Sequence, residues 1–128
     1  MYLGSSLKKF NLTASEISFF MILKNYDGMT QEELTTIVDV DKAVTTRVVK
    51  SLEEKKFISK IQDQNDKRQN RIYATDELKN LFPKVIEELK IFDKDVLKGI
   101  DQEEINITYN VLMKIKENFD QMLKEKNK

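Results

Sequence analysis

Apolar residues recur at intervals of three and four along most of the chain, and this spacing predicts a mainly helical protein. Residues 15 to about 25 are apolar on most of their surface, which predicts a central core helix. A short helix over residues 31 to about 38 and a longer one over 42 to about 55 are separated by a tight turn at Asp39 and Val40. This order is typical of a helix-turn-helix. The inward side chains are expected to be Leu34, Ile37 and Val38 in the short helix, and Val48, Val49 and Leu52, with Val44 or Thr45, in the longer one.

The period then changes to two, which is typical of strands. Residues 57–61 and 70–74 each form a short alternating pattern, and the polar run 62–69 lies between them. A hairpin directly after a helix-turn-helix is a wing. The predicted fold is therefore mainly α with a small β wing.

Two longer amphipathic patterns fill the rest of the chain, from residue 76 to about 98 and from Asp101 onward. Pro83 lies inside the first and is expected to bend it. Together with a short N-terminal stripe they offer more apolar surface than the winged part can cover, so we expect a helical dimer interface. The alternative is that these helices fold back on their own core. The residues assigned to the interface are Leu3, Leu7, Ile105, Leu112, Ile115, Phe119 and Met122.

Helix start signals support this division. Thr13, Thr30 and Asp101 each have Glu three residues later, the pattern of a capping box. Asp41 and Thr75 are good single caps. Five starts predict at least five helices in one domain, with a winged helix-turn-helix core over residues 12–75 and a helical dimerisation region over 1–11 and 76–128.

Composition narrows the classes of function. The 128 residues include neither Cys nor His, which removes disulfides, thiolate zinc sites and the commonest general base. No catalytic motif is present, so we expect neither an enzyme nor a bound metal or cofactor. No apolar run approaches the length of a membrane span, and the N-terminus lacks the features of a signal peptide. We therefore expect a cytoplasmic protein.

The formal net charge of zero hides a segregation of charge. Residues 42–71 contain nine basic and four acidic side chains, which gives this window +5 and the remainder −5. A basic segment in an acidic body is typical of a protein that meets a polyanion with one face. The alternative is a charged surface that is simply solvated.

Short motifs in the right order and spacing carry a resemblance to a known family. The most specific is the wing stretch Asp66-Lys67-Arg68, followed by Ile72 and Thr75. The others are Leu12-Thr13, Thr30-Gln31-Glu32-Glu33-Leu34, VDKAVTTR at residues 40–47 and Leu52-Glu53-Glu54-Lys55. Together they resemble the MarR family of bacterial winged-helix transcriptional regulators over nearly the whole chain.

The chain departs from the family pattern in places. Lys56 stands where the family usually has Gly, and a non-Gly residue in a left-handed cap costs about 1 kcal/mol, so we expect the preceding helix to end differently. Asp39 also replaces a common Gly. Only twelve residues precede Thr13, whereas the family's first helix is long. Either the true start lies upstream or the dimer helix is shortened.

The resemblance implies a sequence-specific regulator that binds double-stranded DNA as a homodimer, released from a pseudo-palindromic operator by a small ligand. On the exposed face of the second helix of the helix-turn-helix, residues 42 to about 55, Arg47 is expected to read a guanine edge. Its forked guanidinium matches the O6 and N7 acceptors. Its alternative is a surface ion pair with Glu53 or Glu54. Ala43 and Thr46 are small enough for close approach, and Lys42 and Lys50 suit phosphates.

On the wing, the resemblance implies that Arg68 enters the minor groove, with Asp66 holding it by an ion pair. Lys67 and Arg71 are expected to add phosphate contacts. The resemblance also implies a small apolar or aromatic ligand. Each residue that could line its pocket could instead simply pack in the core. The candidates are Phe10, Phe19, Phe20, Met21, Tyr26 and Phe82.

One other class of function stays open. A winged helix can also serve as a protein–protein interaction module without specific DNA binding. That class predicts little salt-dependent affinity for DNA, whereas a DNA-binding dimer loses affinity steeply as salt rises.

Overall fold

The computed structural model describes residues 7–126. Within that range it contains five α-helices and three strands, after a single turn of 3-10 helix at Lys8–Phe10. The elements are α1 (Ala14–Leu23), β1 (Met29–Thr30), α2 (Gln31–Val38), α3 (Lys42–Glu54), β2 (Ile58–Gln62), β3 (Asn70–Ala74), α4 (Asp76–Val96) and α5 (Gln102–Lys126). The predicted fold class, mainly α with a small β wing, is confirmed. None of the described helices has the length and apolar character that crossing a membrane requires.

Side chains cap α2, α4 and α5 where the sequence indicated, whereas Asp41, predicted to cap α3, makes no capping hydrogen bond with its side chain. Thr30 Oγ1 accepts a hydrogen bond from the Glu33 amide at 3.1 Å, and Glu33 Oε2 accepts from the Thr30 amide at 3.3 Å. Asp101 and Glu104 make the same reciprocal pair, at 2.8 and 3.3 Å. Each pair satisfies two amides that a helix start leaves without partners, so these two of the three predicted capping boxes are confirmed. At the third, the Thr13 amide donates to Glu16 Oε1 at 2.9 Å.

The sheet has the order β1-β3-β2 and is antiparallel throughout. The hairpin β2–β3 pairs Ile58 with Ala74 at one end and Gln62 with Asn70 at the other. The two-residue strand β1, with Met29 opposite Ile72, was not predicted, because two residues are too few to show a period. It ties the start of α2 to the wing.

Helix α3 ends as the family pattern has it, despite Lys56. The chain leaves the helix after Glu54, and Lys56 adopts a left-handed conformation with φ +66°. The Phe57 amide then donates to the Leu52 carbonyl at 2.9 Å, and Phe57 is buried. The expectation of a different helix end was wrong, because burial of Phe57 and this closing hydrogen bond outweigh the local strain. Asp39 is also left-handed, with φ +61°.

The core is built around α1 and α3. Phe20 of α1 is wholly buried, packing edge-on against Phe57 and stacking on Phe82. The prediction for the inward face of α3 is confirmed, with Thr45, Val48, Val49 and Leu52 all buried. The prediction for Ile37 was wrong, since its side chain is 48% exposed. Helix α2 turns Leu34 and Val38 toward the core, and Ile37 lies about 100° around the helix from Val38.

The chain forms two compact units, the first ending at Phe92 and the second beginning at Asp93. The first unit holds the winged helix-turn-helix and the first part of α4, because Leu78 and Val85 are buried in its core. The predicted helical region from residue 76 is thus shared between the units. The second unit carries α5, in which none of the side chains is buried over the described residues.

Candidate nucleic-acid interface

Helix α3 separates buried from exposed side chains as the sequence indicated. Its inward face lies in the core, and its outward face is exposed. Besides Glu53 and Glu54 in its last turn, the exposed residues are Lys42, Ala43, Thr46, Arg47 and Lys50, the five assigned to DNA reading. Three of them are cations, so this face presents positive charge on a short, rigid surface.

Arg47 is free to meet a ligand. Among the described residues it makes no ion pair, and Glu53 pairs instead with Lys60, with Nζ and Oε1 3.5 Å apart. The alternative reading of Arg47, an ion pair with Glu53 or Glu54, is therefore not what the structure shows. Its guanidinium keeps all its donors for an external acceptor.

Hydroxyl and amide groups fix α3 against α2. The buried Thr45 Oγ1 accepts from Thr35 Oγ1 at 2.8 Å. Gln31 Nε2 donates to Thr46 Oγ1 at 2.8 Å, and Thr46 Oγ1 in turn donates to the Lys42 carbonyl at 3.0 Å. The Thr46 hydroxyl is thus occupied within the protein, which leaves its methyl group as the part suited to an apolar contact with a base.

A buried carboxylate that was not singled out as a site residue links α1 to α3. Glu16 is only 2% exposed. Its Oε1 accepts from Lys55 Nζ at 2.7 Å and from the Thr13 amide at 2.9 Å, and its Oε2 accepts from Ser51 Oγ at 2.9 Å. Burial alone would raise the pKa of Glu16, but the hydrogen bonds from Lys55, the Thr13 amide and Ser51 outweigh it and lower the pKa. The capping pattern at Thr13 indicated only the local part of this network.

The wing tip presents Arg68 to solvent. Its Nε lies 3.1 Å from Asp66 Oδ1 and its Nη2 lies 3.5 Å from Asp66 Oδ2, so the predicted ion pair is present. The Arg68 amide also donates to Asp66 Oδ1, at 3.1 Å. The Arg68 side chain is nevertheless 89% exposed. Lys67 beside it is exposed as well.

Arg71 is placed differently from its neighbours on the wing. Its Nη1 donates to the Gly28 carbonyl at 2.6 Å, and its Nε donates to Asp63 Oδ2 at 2.9 Å. The guanidinium is half-buried and turned toward the protein. Two of its five N–H donors therefore have internal acceptors, and the phosphate contact by Arg71 stays a prediction.

Internal pairing divides the basic residues of window 42–71 into two groups. Four of the nine have an acidic partner, namely Lys55, Lys60, Arg68 and Arg71, with Glu16, Glu53, Asp66 and Asp63 respectively. The other five are exposed and make no ion pair within the described part of the chain: Lys42, Arg47, Lys50, Lys56 and Lys67. The unpaired positive charge therefore lies on α3, just after its end and at the wing tip.

The residues proposed to line a ligand pocket mostly belong to the core. Phe19 and Phe20 are buried, Phe10, Met21 and Phe82 are partly buried, and Tyr26 is 53% exposed. Two open clefts of about 260 and 340 Å³ have other linings. One lies between the start of α2 and wing residues 68–70, and the other lies between α2 and Lys42.

The residues proposed for dimer contacts fall into three groups. Leu3 lies outside the described residues, and Leu7 is wholly buried in the core of its own chain. The members on α5 are accessible: Ile105 is half-buried, and Leu112, Ile115, Phe119 and Met122 are exposed.

Comparisons with known proteins find a matching family model and relatives that are transcriptional regulators. The MarR family model matches residues 12–69. The uncharacterized HTH-type transcriptional regulator YybA of Bacillus subtilis is 25% identical over 113 residues, covering 88% of this chain and 75% of that protein. The HTH-type transcriptional regulator BilQ of Clostridioides difficile is 31% identical over 91 residues, covering 66% of this chain and 62% of that protein.

A solved structure extends the likeness over most of both chains. A MarR family transcriptional regulator from Listeria monocytogenes, complexed with 26mer DNA, is 31% identical to this chain and superposes with a TM-score of 0.79. The match covers 91% of this chain and 78% of that one. With the winged helix-turn-helix, the exposed basic face of α3 and the paired Arg68 at the wing tip, these matches show that the chain belongs to the MarR family of transcriptional regulators.

Proposed function

We propose that the chain is a sequence-specific double-stranded DNA-binding regulator that binds a pseudo-palindromic operator as a homodimer. The observation that carries this proposal is the distribution of unpaired cations. They lie on the exposed face of α3 and at the wing tip, which are the two elements that a winged helix applies to DNA. The DNA complex of the Listeria relative supports the same reading.

Helix α3 reads bases in the major groove. Arg47 donates two hydrogen bonds to the O6 and N7 of a guanine, because its fork matches that spacing. Ala43 and the methyl group of Thr46 lie against the bases, where small side chains permit close approach. Lys42 and Lys50 bind flanking phosphates, which a flexible point charge suits.

The wing extends contact into the neighbouring minor groove. Arg68 enters a narrow A·T-rich groove, where the negative potential is enhanced. Asp66 holds the guanidinium by an ion pair, and Lys67 binds a phosphate nearby. This part of the interface favours groove shape over individual bases, so it adds affinity with little base-by-base discrimination.

The exposed apolar stripe of α5 supports dimerisation. Leu112, Ile115, Phe119 and Met122 are between 57% and 64% exposed. Large apolar side chains exposed together at near-heptad spacing mark an interaction surface. A second copy of the chain is the partner that a two-fold operator requires. It places the two copies of α3, the recognition helix, on successive major grooves about one helical turn apart.

Control by a small apolar or aromatic ligand, acting to release a repressor, belongs to the same proposal and rests on family membership. The accessible members of the candidate lining are the exposed Tyr26 and the partly buried Phe10, Met21 and Phe82. A DNA-binding role also places the protein in the compartment that holds the DNA, which agrees with the expected cytoplasmic location.

The test is selection of bound fragments from a random DNA pool near physiological salt, with wild type, Arg68→Ala and Lys84→Ala in parallel. Lys84 is exposed on α4, so Lys84→Ala removes the same charge as Arg68→Ala outside the proposed interface. We expect wild type and Lys84→Ala to recover one inverted repeat, and Arg68→Ala to hold it more weakly, by about tenfold. Failure of all three proteins to enrich any sequence would overturn the proposal and favour a protein–protein interaction module.

A further inference from the structure

The base of the wing is held by contacts between residues far apart in the chain. Arg71, near the start of β3, reaches Gly28, which is 43 residues earlier and lies just before β1. The same guanidinium reaches Asp63, the first residue after β2. One side chain thus joins both strands of the hairpin to the loop that precedes α2.

Both acceptors are fixed in place. The Gly28 amide donates to the Ile72 carbonyl at 2.9 Å. Gly28 has a φ of +79°, a left-handed conformation that glycine adopts without steric strain. A Cβ at Gly28 would lie 3.3 Å from Tyr73 Oη, so the backbone here fits closely against β3. The Asp63 side chain is only 9% exposed, so its carboxylate has little room to follow a displaced guanidinium.

Asp63 also shapes the loop that carries Arg68. Its Oδ1 accepts from the Asn65 amide at 2.8 Å, and its own amide donates to the Gln69 carbonyl at 2.9 Å. The hydrogen bond from the Asn65 amide lowers the pKa of Asp63, and the guanidinium of Arg71 acts in the same direction. The carboxylate that orders the tip is therefore the one that Arg71 holds.

We propose that Arg71 is a positioning residue, which fixes the wing through Asp63 and the Gly28 carbonyl so that Arg68 is presented to the minor groove. This inference rests on the proposed DNA-binding function. Arg71 itself makes no DNA contact, although local sequence places it among the basic residues of the wing.

Two conservative variants separate this role from a phosphate contact. Arg71→Lys keeps the positive charge but lacks the planar, forked guanidinium that donates to both Asp63 and the Gly28 carbonyl. Asp63→Asn keeps an Oδ1 that accepts from the Asn65 amide and replaces the carboxylate oxygen facing Arg71 with an amide group, which breaks only that pair. If Arg71 bound phosphate, Arg71→Lys would bind almost normally and Asp63→Asn would bind more tightly, because a negative charge is lost near DNA.

Binding is measured by titration of two forms of the selected operator, one with A·T and one with G·C pairs where the wing lies, over a range of salt. We expect both variants to bind the A·T form about tenfold more weakly than wild type, with a reduced A·T-over-G·C preference and an unchanged salt slope. Glu87→Gln is the control, since Glu87 is exposed on α4 and makes no ion pair among the described residues, and it changes the net charge as Asp63→Asn does.

Hydrogen exchange without DNA separately tests whether the contacts of Arg71 with Asp63 and Gly28 order the wing. In both variants the amides of Asp63 and Gln69, which are bonded within the hairpin loop, should exchange about tenfold faster while core amides of α3 do not change. Unchanged exchange at the loop would show that the contacts of Arg71 with Asp63 and Gly28 do not fix the wing. Faster exchange with an unchanged A·T preference would show that these contacts do not position Arg68. If wild type selects no DNA, the proposed function fails, and the positioning role fails with it whatever the exchange result.

Discussion

Replacing the buried carboxylate of Glu16 is the most direct test of how the recognition helix is held. Glu16→Gln keeps the shape of the side chain and an acceptor for the Thr13 amide, but removes the charge that faces Lys55. Hydrogen bonds to charged groups contribute about 1.5–3 kcal/mol each, and the relief of carboxylate desolvation offsets part of that loss. We expect the free energy of unfolding to fall by about 2 kcal/mol near neutral pH.

The pH dependence follows from the lowered pKa of Glu16. Burial would raise that pKa, but hydrogen bonds led by the one from Lys55 bring it below the ordinary value of 4.5. A lowered pKa means that the stabilisation is fully present above the pKa of the unfolded chain and is lost as pH falls through the pKa of the folded protein. The difference between wild type and Glu16→Gln should therefore stay constant from about pH 7 to about pH 5. It should shrink only as pH falls below the ordinary value of 4.5.

Urea denaturation followed by far-UV circular dichroism measures both quantities. Glu53→Gln is the matched control, because Glu53 also pairs with a lysine, yet its side chain is 43% exposed. An exposed pair contributes little, so this control should lose less than about 0.5 kcal/mol. Equal losses for the two variants, or a Glu16→Gln loss that does not change with pH, would refute the reasoning.

Three further substitutions test other parts of the molecule. Lys56→Gly should raise the free energy of unfolding by about 1 kcal/mol by relieving a left-handed φ of +66°, and a less stable variant in urea denaturation would show that the strain is absent. Arg47→Ala should lower discrimination at one base pair by about 1–3 kcal/mol, whereas Lys50→Ala should weaken binding to all sequences and reduce the salt slope by about one. Titration against matched and mismatched operators separates the two, and the reverse assignment would contradict the roles given to them. Phe119→Glu should shift the protein toward monomer in sedimentation at micromolar concentration, and an unchanged dimer would place the interface elsewhere.

Features decided by neighbouring residues could be predicted from the sequence. The inward face of α3 follows from spacing alone, and Val48, Val49 and Leu52 are buried as expected. The strand Asn70–Ala74 has the bounds that its alternation indicated. Exposure of Arg47 also follows from the helical period, since the position lies opposite those core residues.

Features decided by distant residues could not be predicted in this way. Lys55 lies 39 residues from Glu16, and only the fold brings the two together. Arg71 stands in a basic run, so local sequence suggested a phosphate contact, while its acceptor at Gly28 is set by the pairing of β1 with β3. The missing knowledge in each case was which strand or helix lies beside which.

Pairing also changes what the charge count predicts for DNA binding. Of the nine basic residues in window 42–71, five have no acidic partner within the described chain. Each phosphate contact releases counterions and adds about −0.9 to the salt slope, so a dimer that uses only these five per protomer reaches at most about −9. If all nine met phosphates, the slope would approach about −16. Affinity measured against salt concentration separates the two cases. A slope near about −16 would mean that Arg71 leaves Asp63 and Lys55 leaves Glu16 on binding DNA. That result would contradict the structural roles argued for both ion pairs.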